Sequence, residues 1–93
     1  MPEASKNTLG VEDGLTSEQI RAARALLRWE QTNLSAASKV SIATVKRLEG
    51  QPGPLKANAV TIEALRRALE EAGIEFTAGG GVQPREQPEK VAG

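Results

Sequence analysis

The segment "QTNLSAASKVSIATVKRLEG", residues 31–50, constrains the fold of this chain more than any other part. It contains two short runs with apolar side chains at helical spacing, separated by a polar break. The first run predicts a helix over about 31–38, with Leu34 and Ala37 pointing inward. Helices this short are not stable alone, so the rest of the chain must cover them.

The second run predicts a helix from Ile42 to about Leu48 or Glu49. Ser41 precedes it, and a serine hydroxyl at that position caps the first N–H groups of a helix. Val45 and Leu48 are three residues apart and form the inward pair of this helix. The two runs therefore predict two short helices joined by a turn of three or four residues.

Two longer helical patterns flank this pair. Thr16 predicts an N-cap for a helix over about 17–28, and Gln19 completes a capping box with it. Asn58 predicts the N-cap of a last helix over about 59–72. A loop containing two prolines and a glycine separates this last helix from the short pair.

Three arginines, Arg21, Arg24 and Arg28, repeat along one face of the first helix. We interpret them as a solvated face, because charge runs on helices usually are. Trp29 follows the helix and is interpreted as a residue that closes over the core.

The ends of the chain are polar and rich in glycine. They predict a flexible N-terminal segment over 1–15 and a flexible C-terminal tail over 77–93, around a domain over 16–76. The alternation in "IEF", Ile74–Phe76, leaves open a short strand or an extended arm, and a strand here would add to the sheet of a partner or to a second copy of the chain.

Composition excludes several kinds of function. The 93 residues include no cysteine and no histidine, which removes disulfides, most zinc sites and the commonest general acid–base side chain. We therefore predict no enzymatic activity, cofactor or metal. No apolar run resembles a signal peptide or a membrane span, so we expect a cytoplasmic protein.

Charge is unevenly distributed along the chain. The net charge is zero overall, but residues 17–50 carry six basic and three acidic side chains, a net charge of +3. These patterns together predict an all-α fold, a compact four- to five-helix bundle that contains a helix-turn-helix and has flexible tails.

The segment "LTSEQIRAARALLRWEQTNLSAASKVSIATVKRLEG" resembles the Cro/phage-repressor helix-turn-helix domains of the XRE family, and the similarity extends over about 15–76. It is carried by "RAARALLRWEQ", by the Val40-Ser41 pair that opens the second short helix, and by the ending "KRLEG". The end "LRRALEEAGIEF" is similar to a variant of the family in which one long helix replaces the last two.

The resemblance implies that the helix beginning at Ile42 is a recognition helix for the major groove of double-stranded DNA. The implied contact residues are Gln31, Asn33, Ser41, Ile42, Ala43, Thr44, Lys46 and Arg47. The first three residues of that helix would face base edges, and its two cations would reach bases or phosphates. The glutamine and the asparagine would hold a phosphate, while the serine caps the helix and touches the backbone.

Two positions depart from the family pattern. Lys39 stands where the family usually has glycine, at a turn position that often requires a positive φ and costs a lysine about 1 kcal/mol. Ser38 replaces a usual apolar residue, which predicts looser packing at that end of the helix.

Two functions remain open on the sequence. The first is a DNA-binding transcriptional regulator, a repressor acting as a homodimer. The second is an antiactivator or antitoxin-like protein that blocks a partner such as a LuxR-type quorum-sensing activator. Val40, Ile42 and Ala43 would form the apolar docking patch in that second case.

Overall fold

The computed structural model describes residues 14–85. It contains four helices and a two-stranded sheet. The elements are α1 (Ser17–Leu27), α2 (Gln31–Ser38), α3 (Ile42–Glu49), α4 (Ala59–Glu71), β1 (Ile74–Thr77) and β2 (Gly81–Pro84). The predicted helices are confirmed, each with bounds within one residue of those expected. None of the helices in residues 14–85 is long and apolar enough to cross a bilayer.

The prediction of an all-α fold is wrong, because β1 and β2 form an antiparallel hairpin. The hairpin packs against α1 and follows α4 directly. The strand left open at Ile74–Phe76 is thus real, and its partner lies within the same chain. The prediction of a flexible tail is also wrong for Gly81–Pro84, which forms the second strand.

A glycine-rich turn makes the hairpin possible. Gly79 and Gly80 both have φ near +90°, a conformation that side chains other than glycine rarely adopt. Phe76 pairs with Val82 in the register of the sheet, and both side chains pack against the core. The glycines that suggested a flexible tail therefore form the turn of the hairpin. Apolar contacts hold its two strands against the core.

The core is almost entirely aliphatic and draws on every helix. Its buried members are Leu15, Ile20, Ala23, Leu34, Val45, Leu48, Leu55, Leu65, Ala68, Leu69 and Ile74. Trp29 and Phe76 are partly buried against this cluster. With so few aromatic side chains, the domain depends on close packing of leucine, isoleucine and valine.

The N-terminal end of the described chain is anchored to the loop before α4. The Ser17 N–H donates to the Gly53 carbonyl at 2.9 Å, and the Leu55 N–H donates to the Leu15 carbonyl at 3.1 Å. Leu15 is therefore part of the folded unit, although the predicted flexible segment included it. The rest of that predicted segment, apart from Gly14, lies outside the described residues, as do residues 86–93 of the predicted tail.

Both longer helices begin at the predicted caps. The Thr16 hydroxyl accepts from the Gln19 N–H at 3.1 Å, and the Gln19 side chain accepts from the Thr16 N–H at 2.9 Å. This reciprocal pair is the capping box predicted from the sequence. At α4, the Asn58 side chain accepts from the Thr61 N–H at 2.8 Å.

Glu18 links the first turn of α1 to the same loop. Its carboxylate accepts from the Gly53 N–H at 3.1 Å. Hydrogen bonds from its own backbone N–H and then from that of Gly53 lower the pKa of Glu18 below its ordinary value. The charged form is favoured because hydrogen bonds to a carboxylate stabilise its charge.

Candidate nucleic-acid interface

The connection between α2 and α3 is a three-residue turn, Lys39–Ser41. Lys39 has φ 67° and ψ 16°, in the left-handed region, so the positive φ expected at this position is confirmed. Because a lysine replaces the glycine that suits this conformation, the turn is strained by about 1 kcal/mol.

Two serines of α2 satisfy the polar groups of this turn. The Ser35 hydroxyl donates to the Val40 carbonyl at 2.6 Å, and the Val40 N–H donates to the Ser38 hydroxyl at 3.1 Å. Ser38 is buried on the core side of α2. Its hydroxyl takes the N–H that an apolar residue would leave without a partner.

The inward side of α2 differs from the one predicted. Ala36 and Ala37 are exposed, and Ser35 lies at the junction with the turn. The prediction that Ala37 points inward is wrong. Leu34 alone carries the apolar contact of α2 into the core, together with the buried Ser38.

Helix α3 is capped by Ser41, as predicted. The Ser41 hydroxyl accepts from the Thr44 N–H at 3.2 Å and donates to the Thr44 hydroxyl at 3.0 Å. The cap therefore fixes the oxygen of Thr44 at the N-terminal end of the helix.

Helix α3 is divided into a buried and an exposed face. Val45, Leu48 and Glu49 are buried. Ala43, Lys46 and Arg47 are exposed, and so is Ser41, whereas Ile42 and Thr44 are half-buried. The residues implied as base contacts thus lie at the surface or at its edge, and Ile42 is less exposed than a docking anchor requires.

The segment formed by α2, the turn and α3 is basic. Residues 31–48 contain Lys39, Lys46 and Arg47 and no carboxylate, a net charge of +3 in a chain whose net charge is zero. All three cationic residues are exposed. Lys56 is also exposed, and its backbone carbonyl accepts from the Arg47 guanidinium at 3.4 Å.

We call Lys39, Lys46, Arg47 and Lys56 the basic face. Sequence reasoning missed Lys56, which is separated from α3 by the proline-containing loop. The loop returns to the C-terminal half of α3, and only the folded chain brings the two together.

The carboxylate that ends α3 is removed from this face by a buried ion pair. Arg24 donates to Glu49 through Nε at 2.8 Å and through Nη2 at 2.7 Å. The Glu49 side chain is 4% exposed and that of Arg24 is 19% exposed. The hydrogen bonds to Glu49 raise the pKa of Arg24 above its ordinary value.

This ion pair corrects the interpretation of the arginine series on α1. Arg24 belongs to an interior cluster, and its Nη1 also donates to the Trp29 carbonyl at 2.9 Å. Arg21 is exposed and lies 3.8 Å from Glu18, as a solvated face predicts. Arg28 is exposed and adopts the left-handed conformation that ends α1, with φ 59°.

The two residues implied as phosphate contacts on α2 are engaged within the chain. The Gln31 amide donates to Glu49 at 3.0 Å. The Asn33 side-chain oxygen accepts from the Glu30 N–H at 2.7 Å, as part of the cap of α2. The structure therefore brings Ser41, Ala43, Lys46 and Arg47 to one exposed region, whereas Gln31 and Asn33 stabilise the start of α2.

Within residues 14–85 there is no group of three or more acidic side chains arranged to hold a metal ion. A comparison of the chain with known protein families found no matching family. A comparison with curated proteins found no significant similarity.

Proposed function

We propose that this protein is a transcriptional regulator that binds double-stranded DNA through α3. The observation that carries the proposal is the basic face. The exposed side of α3 and of the turn before it carries cations and no carboxylate, while Glu49 is buried against Arg24. A surface of this charge favours the phosphate backbone, whose neutralisation supplies much of the affinity of DNA-binding proteins.

The exposed residues of α3 suit the roles expected of a helix in the major groove. Lys46 and Arg47 can donate to phosphates or to guanine O6 and N7. The hydroxyl of Thr44 can hydrogen-bond a base edge, and the methyl group of Ala43 can contact that of thymine. Lys39 and Lys56 lie beside this helix in the chain and would contact the backbone on either side.

One copy of the domain offers too few cations for tight binding. Neutralising six to ten phosphates, as well-characterised regulators do, requires more basic residues than the four of this face. A homodimer would double them and would place two recognition helices on half-sites about 34 Å apart. We therefore propose a dimeric repressor that acts in the cytoplasm.

The alternative, capture of a transcriptional activator or a toxin, has weaker support. It requires an exposed apolar patch around Ile42, but Ile42 and Val40 are both partly buried. Of the large apolar side chains in the described residues, Leu26 and Val60 are the exposed ones, and both lie outside α3.

The proposal is tested with a fluorescently labelled duplex from the region upstream of the protein's own gene. This duplex is titrated with the purified protein. Fluorescence anisotropy is measured at two salt concentrations, with a duplex of random sequence as competitor. We expect saturable binding that weakens steeply with salt and favours the upstream duplex. Equal binding to both duplexes, or none at low salt, would contradict the proposal.

Matched variants locate the contact surface. Arg47→Ala is expected to cost about 1–3 kcal/mol of binding free energy and to relax sequence preference. Lys46→Ala is expected to weaken binding to all duplexes and to reduce the salt slope by about 1. Arg21→Ala removes the same charge from α1 and is the control. A loss with Arg21→Ala equal to that with Arg47→Ala would show a non-specific charge effect.

A further inference from the structure

The chain enters the described domain along the loop that precedes α4. Thr16 pairs with Pro54 in an antiparallel arrangement. One residue earlier, the Leu15 carbonyl accepts from the Leu55 N–H at 3.1 Å. In an antiparallel pair, each step back along one segment is a step forward along the other. The part of the chain that precedes Leu15 therefore starts beside the residues that follow Leu55.

Lys56 of the basic face lies at this point of the loop. In the same register Gly14, the first described residue, is opposite Lys56, and residues opposite each other have Cα atoms about 4.5–5.5 Å apart. The Lys56 side chain is exposed, and its carbonyl accepts from Arg47 of α3 at 3.4 Å. Residues 1–13 thus join the domain within reach of two cations of the basic face.

The segment before Gly14 has the charge that complements this face. Residues 1–13 carry three carboxylates, on Glu3, Glu12 and Asp13, against one cation, Lys6, which gives a net side-chain charge of −2. Two of the three carboxylates immediately precede Gly14. The basic face consists of four cationic residues, all of them exposed. Opposite charges are therefore held close together by the covalent path of the chain.

We infer that residues 1–13 bind the basic face of their own domain, with Glu12 and Asp13 as the contacts closest to Lys56. Continued for two more residues, the antiparallel register places Glu12 diagonally opposite Lys56 on the same side, a spacing that long side chains span. Thirteen extended residues reach up to about 43 Å, whereas the eight residues of α3 are only about 12 Å long. The carboxylate of Glu3 can therefore reach Lys46.

The other end of the chain is less well placed for this role. The Arg85 N–H donates to the Gly73 carbonyl at 2.6 Å, and its guanidinium donates to the Glu70 carbonyl. Residues 86–93 therefore start at the C-terminal end of α4, whose 13 residues separate them from Lys56 by about 20 Å. They also carry only two carboxylates, against one cation. Residues 1–13 have the shorter path and the larger negative charge.

DNA must displace this segment, because phosphates and carboxylates compete for the same cations. The displacement rests on the proposed function, whereas the contact itself does not. Each exposed ion pair contributes little, but the covalent link keeps the carboxylates at an effective concentration in the millimolar range. The segment therefore weakens DNA binding without abolishing it, and its effect declines as salt increases.

The contact is tested without DNA, by NMR on the full chain. The sequence has no cysteine, so Ala4→Cys introduces a single attachment site for a nitroxide spin label. We expect the label to broaden the amide signals of Lys46 and Arg47 and to leave those at the C-terminal end of α4 sharp. Glu12→Gln with Asp13→Asn in the labelled chain is expected to reduce the broadening, and so is high salt.

The competition is tested by the anisotropy titration described above. Glu12→Gln with Asp13→Asn is expected to bind the random duplex about three- to tenfold more tightly than the wild type. The matched control is Glu71→Gln with Glu75→Gln, which removes two exposed carboxylates near the opposite end of α4. Its effect is expected to stay below about twofold, because charges more than a Debye length from the bound DNA are screened. Circular dichroism confirms that each variant is folded.

Equal broadening in the labelled wild-type and neutralised chains would overturn the inference, because the label would then report only its covalent attachment. So would a neutralised chain that binds DNA no more tightly than the control pair does. If neither the wild type nor the neutralised chain binds any duplex, the proposed function fails. The broadening alone then decides whether residues 1–13 occupy the basic face.

Discussion

Removing the carboxylate of Glu49 should destabilise this domain more than any surface substitution. The carboxylate accepts three hydrogen bonds, two from Arg24 and one from Gln31, at 2.7 to 3.0 Å. These bonds join the end of α3 to the middle of α1 and to the start of α2. Glu49→Ala would leave the Arg24 guanidinium largely buried without its counter-ion.

The magnitude follows from burial. Breaking a buried ion pair by deleting one partner costs about 3–5 kcal/mol. Arg24 is 19% exposed and keeps its bond to the Trp29 carbonyl, so we expect a value near the lower limit, about 3 kcal/mol. A domain of this size has a total free energy of unfolding of only about 4–10 kcal/mol. The variant should therefore lose a third or more of its stability and melt at least about 10 °C lower.

Urea denaturation followed by circular dichroism measures the change in the free energy of unfolding. Glu63→Ala is the matched control, because its carboxylate is 58% exposed beside Arg66 and such pairs contribute about 0–1 kcal/mol. Arg24→Met combined with Glu49→Leu replaces both charges with apolar groups and should cost less than Glu49→Ala alone. A loss below about 1 kcal/mol for Glu49→Ala would refute the reasoning, because the pair would then behave as an exposed one.

Three further perturbations test local features. Lys39→Gly should raise the free energy of unfolding by about 0.5–1 kcal/mol in urea denaturation, because glycine relieves the left-handed turn; no gain would show that the turn is unstrained. Glu18→Gln should flatten the decline of stability in acid: the pKa of Glu18 is lowered from 4.5 in the folded state, so its contribution is present above pH 4.5 and is lost as the pH falls through the folded value. An unchanged pH profile would contradict that assignment. Gly81→Ala places a Cβ in steric conflict with the Thr77 hydroxyl and should lower the melting temperature, whereas Thr77→Ala in the same chain should recover most of the loss; no recovery would place the strain elsewhere.

The helices could be predicted from the sequence because their signals are local. Thr16 with Gln19, Ser41 and Asn58 are caps that act within four residues, and the structure forms each of them. The positive φ of Lys39 was expected only from the resemblance to a family that usually has glycine at this position of the turn.

The hairpin was not predictable from composition because a glycine run is ambiguous. Three consecutive glycines suit a flexible tail as well as a tight turn. What decides between them is whether the residues on either side find apolar partners, and here Phe76 and Val82 pack against the core. That outcome depends on α1, some fifty residues earlier in the chain.

The candidate site was predictable in part. The exposure of Ala43, Lys46 and Arg47 follows from helical periodicity, since Val45 and Leu48 fix the inward side. The ion pair of Arg24 with Glu49 joins residues 25 positions apart, and no local pattern marks it. The arginine series on α1 therefore gave no sign that Arg24 turns inward to Glu49. Nor did it indicate that Gln31 donates to the same carboxylate.

The contact between β2 and α1 makes the last described element a neighbour of the first. Because the first and last described elements are in contact, the packing of the elements determines the core more than the order in which the chain joins them. A circular permutant that links the hairpin to α1 and opens a new start between Gly50 and Gln51, ahead of the hydrogen bonds of Gly53 and Leu55, should keep the same core. During synthesis, the face of α1 that contacts the hairpin stays uncovered until β2 has been made, so the domain completes its packing only after Gly81–Pro84 has been synthesised.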